Sequence, residues 1–250
     1  MTRTIFDPAA EAYDRLRPDY PAELYDAVER LSGVSLRAAR VVEVGAGTGI
    51  ATRQLLRRGA IVTAVDLSLA MLRRQQERSR CVAARGEQLP IGTGVADLVC
   101  SATAWHWVDL HHGTREATRV LRPGGALALW WNRGENRGEA WRIAYEESLA
   151  RRGMDRSGRC DVGFELHHLD DYLRQTGLFA AVERHDMFWY RNISVDDYVV
   201  EISTHSNVIQ LGAAAAEFLA EQRAAVAAAC IDGTLRVTYR THLHVARTPG

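Results

Sequence analysis

The run Val41–Thr52, V-V-E-V-G-A-G-T-G-I-A-T, restricts this chain more than any other stretch. It opens apolar and β-branched with Val41, Val42 and Val44, a composition that suits a strand buried on both faces. Glycines at 45, 47 and 49 follow, and then Ile50, Ala51, Leu55 and Leu56 fall on one face of a helix. Strand, glycine turn and helix make the first unit of a nucleotide-binding α/β sheet. The glycines let a ligand approach the backbone, and the helix N-terminus offers free N–H groups.

The spacing narrows the ligand. A dinucleotide fingerprint, G-x-G-x-x-G, would put its third glycine at position 50, where Ile50 stands, and Glu43 lies two residues before the first glycine. A carboxylate there repels a pyrophosphate and attracts an ammonium group. E-x-G-x-G-x-G resembles the first motif of the class I S-adenosylmethionine-dependent methyltransferases. That resemblance implies that Glu43 helps to orient the methionyl end, with Gly45, Ala46, Gly47 and Gly49 around the cofactor. The alternative is a glycine-rich turn with no ligand, but three glycines weaken local structure unless something needs the room.

With 250 residues the chain can bury a large core as one domain, with or without a cap. Its 31 basic residues balance 31 acidic ones, which argues against a nucleic-acid partner, since that needs a basic face. The chain has no lysine, so every fixed positive charge is an arginine and Schiff-base or lysine-nucleophile chemistry is excluded. The four cysteines are scattered without a C-x-x-C pair and signal neither a zinc site nor a redox pair. A secretory signal pattern and an apolar run long enough for a bilayer are both missing, so the expectation is a cytoplasmic protein without a membrane partner, monomer or homodimer.

The N-terminal segment Y-x-x-x-R-P-x-Y-P places Tyr13, Arg17 and Tyr20 ahead of the sheet. It is similar to the N-terminal lid of small-molecule methyltransferases of the type 11 group. This implies that lid helices within residues 1–35 close over the cofactor, with Arg17 a candidate for its carboxylate; a helix packed on the domain with tyrosines at its rim is the alternative. After the glycine turn, I-V-T-A-V-D reads as a second strand ending on Asp66. An acid at that tip can accept from both ribose hydroxyls, and it can also cap a helix over Ser68–Arg80. Leu67 would lie under the adenine. A short third strand near Cys81–Ala84 leads into R-G-E-Q-L-P. The family often carries an acid where Arg85 stands, so Gly86 and Glu87 are left to read the adenine through the backbone.

A-D-L-V-C-S, Ala96–Ser101, is the fourth strand. Ligands of open parallel sheets sit at the carboxyl ends of the strands, which puts Ser101, Ala102 and then Trp105, His106 and Trp107 at a reaction centre. The two indoles either wall off a substrate and exclude water or pack in the core. His106 either serves the acceptor or is a satisfied core histidine. His106, His111 and His112 with Asp109 do not match a zinc spacing, and no metal is expected.

V-L-R-P-G-G-x-L, the turn before a fifth strand A-L-A-L-W-W-N, extends the resemblance, which covers roughly residues 5–135. Further helices are expected around Trp141–Arg152 and Asp170–Gly177. Val182–Arg191 and Leu235–Arg247 alternate as an antiparallel pair at the sheet edge, and residues 195–230 read as a helical cap.

The expected fold is therefore α/β and Rossmann-like in one domain over residues 1–250. It has a seven-stranded, mostly parallel sheet with an antiparallel last strand, helices on both faces and a helical cap. The resemblance implies methyl transfer from S-adenosyl-L-methionine to a small molecule, at an oxygen of a carboxylate or hydroxyl. For a carboxylate, His106 would hydrogen-bond the acceptor, and for a hydroxyl it would be the base. C- or N-methylation and a silent cofactor-binding protein stay open as alternatives. A nicotinamide oxidoreductase is disfavoured by Ile50 and Glu43, and a base-flipping methyltransferase by S-A-T-A where N-P-P-Y would stand.

Overall fold

A computed structural model of the protein describes residues 14–75, 79–154, 168–230 and 232–250. Tyr13 lies outside the described residues. In chain order the elements are α1 (Ala22–Ser32), β1 (Arg40–Val44), α2 (Ile50–Arg57), β2 (Ile61–Asp66), α3 (Leu69–Leu72), β3 (Arg80–Ala83) and β4 (Ala96–Ala102). A 3-10 turn, Trp105–Trp107, precedes α4 (Leu110–Val120) and β5 (Leu121–Gly134). Then come α5 (Ala140–Arg151), α6 (Leu169–Gln175), β6 (Ala181–Ser194), α7 (Val195–Ser203), α8 (Ser206–Gln210), α9 (Ala215–Ala229) and β7 (Thr234–Arg247).

The strands form one seven-stranded sheet in the order β3-β2-β1-β4-β5-β7-β6. β1 runs parallel to both β2 and β4, β2 to β3, and β4 to β5. The strand order reverses between β1 and β4, and the crevice at such a reversal, beyond the carboxyl ends, is where ligands bind in open α/β sheets. β7 is antiparallel to β5: Gly124 N–H donates to Pro249 O at 2.7 Å, and Glu135 N–H to Thr238 O at 2.9 Å. The expected antiparallel edge is thus present, with β7 lying between β5 and β6.

The chain divides into two compact units. The sheet unit comprises Asp19–Asn132, Cys160–Met187 and Thr241–Gly250. Its core holds Val42 and Val44 of β1, Val99 of β4, Leu127 and Leu129 of β5, and Ala117 and Val120 of α4. The unbroken apolar run of β5 is buried from Ala126 to Trp131, as a strand covered on both faces requires. The helical unit comprises Met1–Pro18, Arg133–Arg159 and Phe188–Arg240. Its separate core joins Trp141 and Tyr145 of α5, Tyr198 and Ile202 of α7 and Phe218 of α9 to Val237 and Tyr239 of β7. The segment 195–230, expected as a cap, belongs to this unit, as does Arg17.

Two elements differ from expectation. Among the described residues of the segment Ser68–Arg80, read as a helix, only a single turn, α3, is helical. Met71 and Leu72 are buried, but the residues that follow are polar and have no apolar face to dock, and a short helix needs such a face to persist. The helix before R-P-G-G does stop, at Val120, but R-P-G-G is not a turn ahead of the fifth strand: it lies inside β5, where it pairs with the C-terminal residues through Gly124 and Gly125. Among the described residues no helix is long and apolar enough to cross a membrane.

Candidate active site

Three loops at the carboxyl ends of β1, β2 and β4 build the site. In the first, Gly45 and Ala46 both donate backbone N–H to Val65 O, at 2.8 and 3.0 Å, which ties the glycine turn to β2. Gly45 has a φ of +74°. A Cβ placed there would sit 2.3 Å from the Cβ of Ala104, in the segment after β4, so Gly45 is required both by backbone angle and by space. Gly45→Ala is expected to cost roughly 2–5 kcal/mol, from the left-handed backbone and the overpacking together, and to abolish ligand binding at the turn. A thermal melt and a titration on the folded variant check both parts.

Glu43 lies on β1 just before this turn and is only 1% exposed. Thr52, in the first turns of α2, donates its Oγ1–H to Glu43 Oε2 at 2.6 Å. Burial pushes the Glu43 carboxyl up to about 8, and the neighbouring Asp66 adds to the rise. The acid read from the sequence as facing an ammonium is therefore enclosed, and its ionisation waits on a compensating positive charge.

Asp66 ends β2 half-buried. Its Oδ2 accepts the Gly47 N–H at 2.9 Å and its Oδ1 accepts the Ser68 N–H at 2.8 Å. These bonds orient the carboxylate across the glycine turn, and a carboxylate oxygen can accept more than one hydrogen bond. Leu67 beside it is 37% exposed, an apolar surface at the strand tip. Gln75 reaches back over the turn, its Nε2 donating to Gly47 O at 3.1 Å.

The two residues expected to read an adenine have packing partners. A Cβ on Gly86 would lie 2.8 Å from Val44 Cγ1 and 2.9 Å from Val108 Cγ2, so glycine is needed there for close packing. Glu87 Oε1 accepts the Asp109 N–H at 2.8 Å at the start of α4. Asp109 in turn caps α4 by accepting from His112 N, a bond that holds its carboxyl below the usual range.

Past β4 the chain makes a strained step. Thr103 takes a φ of +54°, an outlier for a β-branched residue. It is held by its N–H donating to Trp130 O at 2.7 Å and by a 3.0 Å hydrogen bond between its hydroxyl and Tyr20 Oη. Tyr20 also meets the Trp130 ring edge-on, with centroids 5.9 Å apart. The step leads into the 3-10 turn that sorts the W-H-W tripeptide. Trp105 turns inward and is 0% exposed in the core, whereas His106 and Trp107 are half-buried with ring centroids 5.0 Å apart. Trp131, near the end of β5, donates its indole N–H to His106 Nδ1 at 3.0 Å.

The site thus brings together the glycine turn, Glu43, Asp66, Leu67, Tyr20, Ala102, His106 and Trp107, all in the sheet unit. Ser101 is buried within β4. Arg17, in the helical unit, donates its Nε–H to Thr204 Oγ1 and an Nη2–H to Thr204 O, both at 3.1 Å. Among the described residues no group of three His, Cys, Asp or Glu side chains is placed to hold a metal ion. Thr52, Gln75, Thr103 and Trp131 were not singled out from the sequence. Only Thr52 carries a local signal, standing at the start of the helix that follows the glycine turn.

Comparisons with known proteins bear on the family and the fold. The pattern of the methyltransferase domain family matches residues 42–129. A methyltransferase of Mycobacterium tuberculosis, described as uncharacterized, is 32% identical over 207 residues, covering 82% of this chain and 77% of that protein. A malonyl-[acyl-carrier protein] O-methyltransferase of Halorhodospira halophila is 42% identical over 134 residues, 50% of this chain and 45% of that protein. A solved structure described as a candidate type II methyltransferase, from Anaeromyxobacter dehalogenans, superposes with a TM-score of 0.71 at 26% identity over 94% of this chain and 99% of its own. The Haemonchus contortus phosphoethanolamine N-methyltransferase 2, solved with S-adenosyl-L-methionine, shares the fold at a TM-score of 0.58 and 17% identity, over 99% of this chain and 59% of that one. The chain belongs to the class I S-adenosylmethionine-dependent methyltransferases. It is an enzyme of that class acting on a small-molecule acceptor.

Proposed function

We propose that this enzyme forms methyl esters, taking as acceptor a carboxylate oxygen of a small organic acid that lies against His106 and Trp107. The donor set at the strand ends suits S-adenosylmethionine. The backbone at Gly47, where an added Cβ would meet only Met71 Cε at 3.6 Å, leaves room for the methionyl chain, and Glu43 offers a carboxyl to its ammonium. Asp66 offers a carboxylate to vicinal hydroxyls, and Leu67 provides an apolar surface for a flat base. When bound, the cofactor supplies a methyl group already activated by a sulfonium.

What remains for the chain is to align the acceptor and to exclude water. Trp107 contributes apolar surface for this. His106 supplies a polar ring nitrogen for an acceptor oxygen. Alignment of this kind supplies on the order of 7–11 kcal/mol in well-oriented reactions. The observation that carries the reading is the contact between Gly45 and Ala104. It packs the glycine turn against the segment that leads into the Trp105–Trp107 turn, which supports a reading in which a group held at one is presented to the other. The malonyl-[acyl-carrier protein] O-methyltransferase relative, similar over only half of this chain, is an O-methyltransferase by name, and a malonyl group ends in a carboxylate; it supports the same choice.

Calorimetry with S-adenosylmethionine and S-adenosylhomocysteine tests the cofactor half, with binding expected to both. Mass spectrometry after incubation with panels of small carboxylic acids, phenols and amines tests the acceptor half, with methyl esters expected. Absence of binding heat on folded protein, or methylation confined to amines, would remove the proposal.

A further inference from the structure

We propose that Thr103 is a positioning residue: its hydroxyl, bonded to Tyr20, holds a left-handed backbone step that turns the segment after β4 onto the glycine turn and so places it for the acceptor. This rests on the proposed placement of the acceptor against His106 and Trp107.

Threonine is an uncommon residue for such a step. Among the described residues twelve glycines take a positive φ, a conformation that glycine enters without steric cost. Ala38, Thr103 and Asp232 are the described non-glycine residues that share it, and of these Thr103 alone is β-branched. A branched Cβ makes the left-handed region an outlier, so a threonine there must supply something that glycine lacks.

What glycine lacks is the hydroxyl. Thr103 Oγ1 and Tyr20 Oη are hydrogen-bonded at 3.0 Å. Tyr20 is itself braced. Its ring is buried edge-on against Trp130, and its carbonyl oxygen accepts from Gln54 Nε2 at 3.0 Å. Gln54 stands on α2, the helix that follows the glycine turn. On the other side the Thr103 N–H donates to the oxygen of buried Trp130 at 2.7 Å. The step is thus fastened to β5 by its backbone and, through Tyr20, to α2 by its side chain. An extended residue at 103 would carry β4 straight on. The left-handed one sets Ala104 against Gly45 and starts the Trp105–Trp107 turn. Backbone strain persists where the surroundings over-determine it, and sites that must be held ready are where it collects. Glycine would reach the same conformation with no side chain to hold it there.

Three variants separate the hydroxyl from the backbone it holds. Their kinetics are read on a carboxylic acid that the wild type esterifies, with cofactor Kd by calorimetry and stability by thermal melts. Thr103→Val keeps the branch and loses the hydroxyl, so the step relaxes. Its kcat/KM for the acid is expected to fall at least tenfold, with the cofactor Kd within threefold. Thr103→Gly lacks the same hydroxyl but takes a positive φ at no cost. It is expected to be at least threefold more active than Thr103→Val and to melt at a higher temperature. Thr103→Ser keeps the hydroxyl and should keep at least a third of the wild-type kcat/KM. Equal losses in the valine and glycine variants overturn the inference, because the hydroxyl itself, and not the backbone it holds, would then matter. So do a wild-type rate in Thr103→Val, a loss of cofactor affinity as large as the loss in kcat/KM, and a glycine variant that melts below the valine variant. Should Thr103→Val not fold, a Thr103→Gly that also fails to fold overturns it, and one that folds supports it. The melting order needs no acceptor. A wild type that esterifies no acid therefore removes the proposed function, while the melts still decide for or against the strained step.

Discussion

Glu43→Gln is expected to bind S-adenosylmethionine at least tenfold more weakly than the wild type and yet to unfold at a higher temperature. Both effects come from the same buried carboxyl. Glu43 is enclosed, hydrogen-bonded by Thr52 and pushed up to about 8, so in the free protein it is mostly protonated at neutral pH. A ligand ammonium nearby offsets the cost of ionising it, and a tenfold change in affinity asks for only about 1.4 kcal/mol of that attraction. The amide of the variant keeps an acceptor for Thr52 but has no charge to give.

The pH dependence follows from the direction of the shift. In the unfolded chain this carboxyl titrates near 4.5, and in the folded protein near 8. Between those values the folded state holds a proton that the unfolded state has released, so stability falls as pH rises through that window and levels off above it. The full span is roughly 5 kcal/mol. The Tm advantage of Glu43→Gln should therefore be small at pH 5 and largest near pH 8. Cofactor affinity of the wild type should climb over the same range, until the ligand's own amine begins to deprotonate, while the variant's stays level. Thermal melts and calorimetry across pH 5–8 read both. Equal pH profiles for the two proteins would show that Glu43 takes no part.

His106→Ala is the second large effect. It should lower kcat/KM for the acceptor by about two orders of magnitude and leave the cofactor Kd within twofold. A hydrogen bond to a charged group contributes about 1.5–3 kcal/mol. The split between kinetic constants is informative. As a carboxylate oxygen bonds to the methyl carbon, its negative charge fades, so a donor to it is worth more in the bound ground state than in the transition state. Most of the loss is then expected in KM, with kcat falling several-fold from poorer alignment. A variant with normal KM and a collapsed kcat would instead mark His106 as a base. Loss of the partner of the Trp131 indole should also cost about 1 kcal/mol of stability, a shift of a few degrees at most.

Much of this architecture was legible because its signals are local. The β-branched run before Gly45 had to be a doubly covered strand, and the alternating glycines had to be a turn with room against its backbone. An acid at the tip of the next strand had to stand at the carboxyl edge of the sheet, where Asp66 is found. The strand pair 181–194 and 234–247 was visible from its period of two. Other expectations failed where a local pattern met a tertiary demand. Among the described residues a polar run did not carry α3 beyond one turn, and R-P-G-G lies inside β5 rather than ahead of it.

Composition and spacing alone determined that this is a mostly parallel α/β sheet with a glycine turn after its first strand. They did so because strand period, turn glycines and helix starts are constraints on neighbouring residues. Only the tertiary structure decided that Trp105 turns inward while Trp107 does not, that Glu43 is sealed against Thr52, and that Trp131 meets His106 across the sheet's edge. Those outcomes depend on strand register and on the path of a strained step at Thr103, which bring together side chains that no repeat along the chain relates.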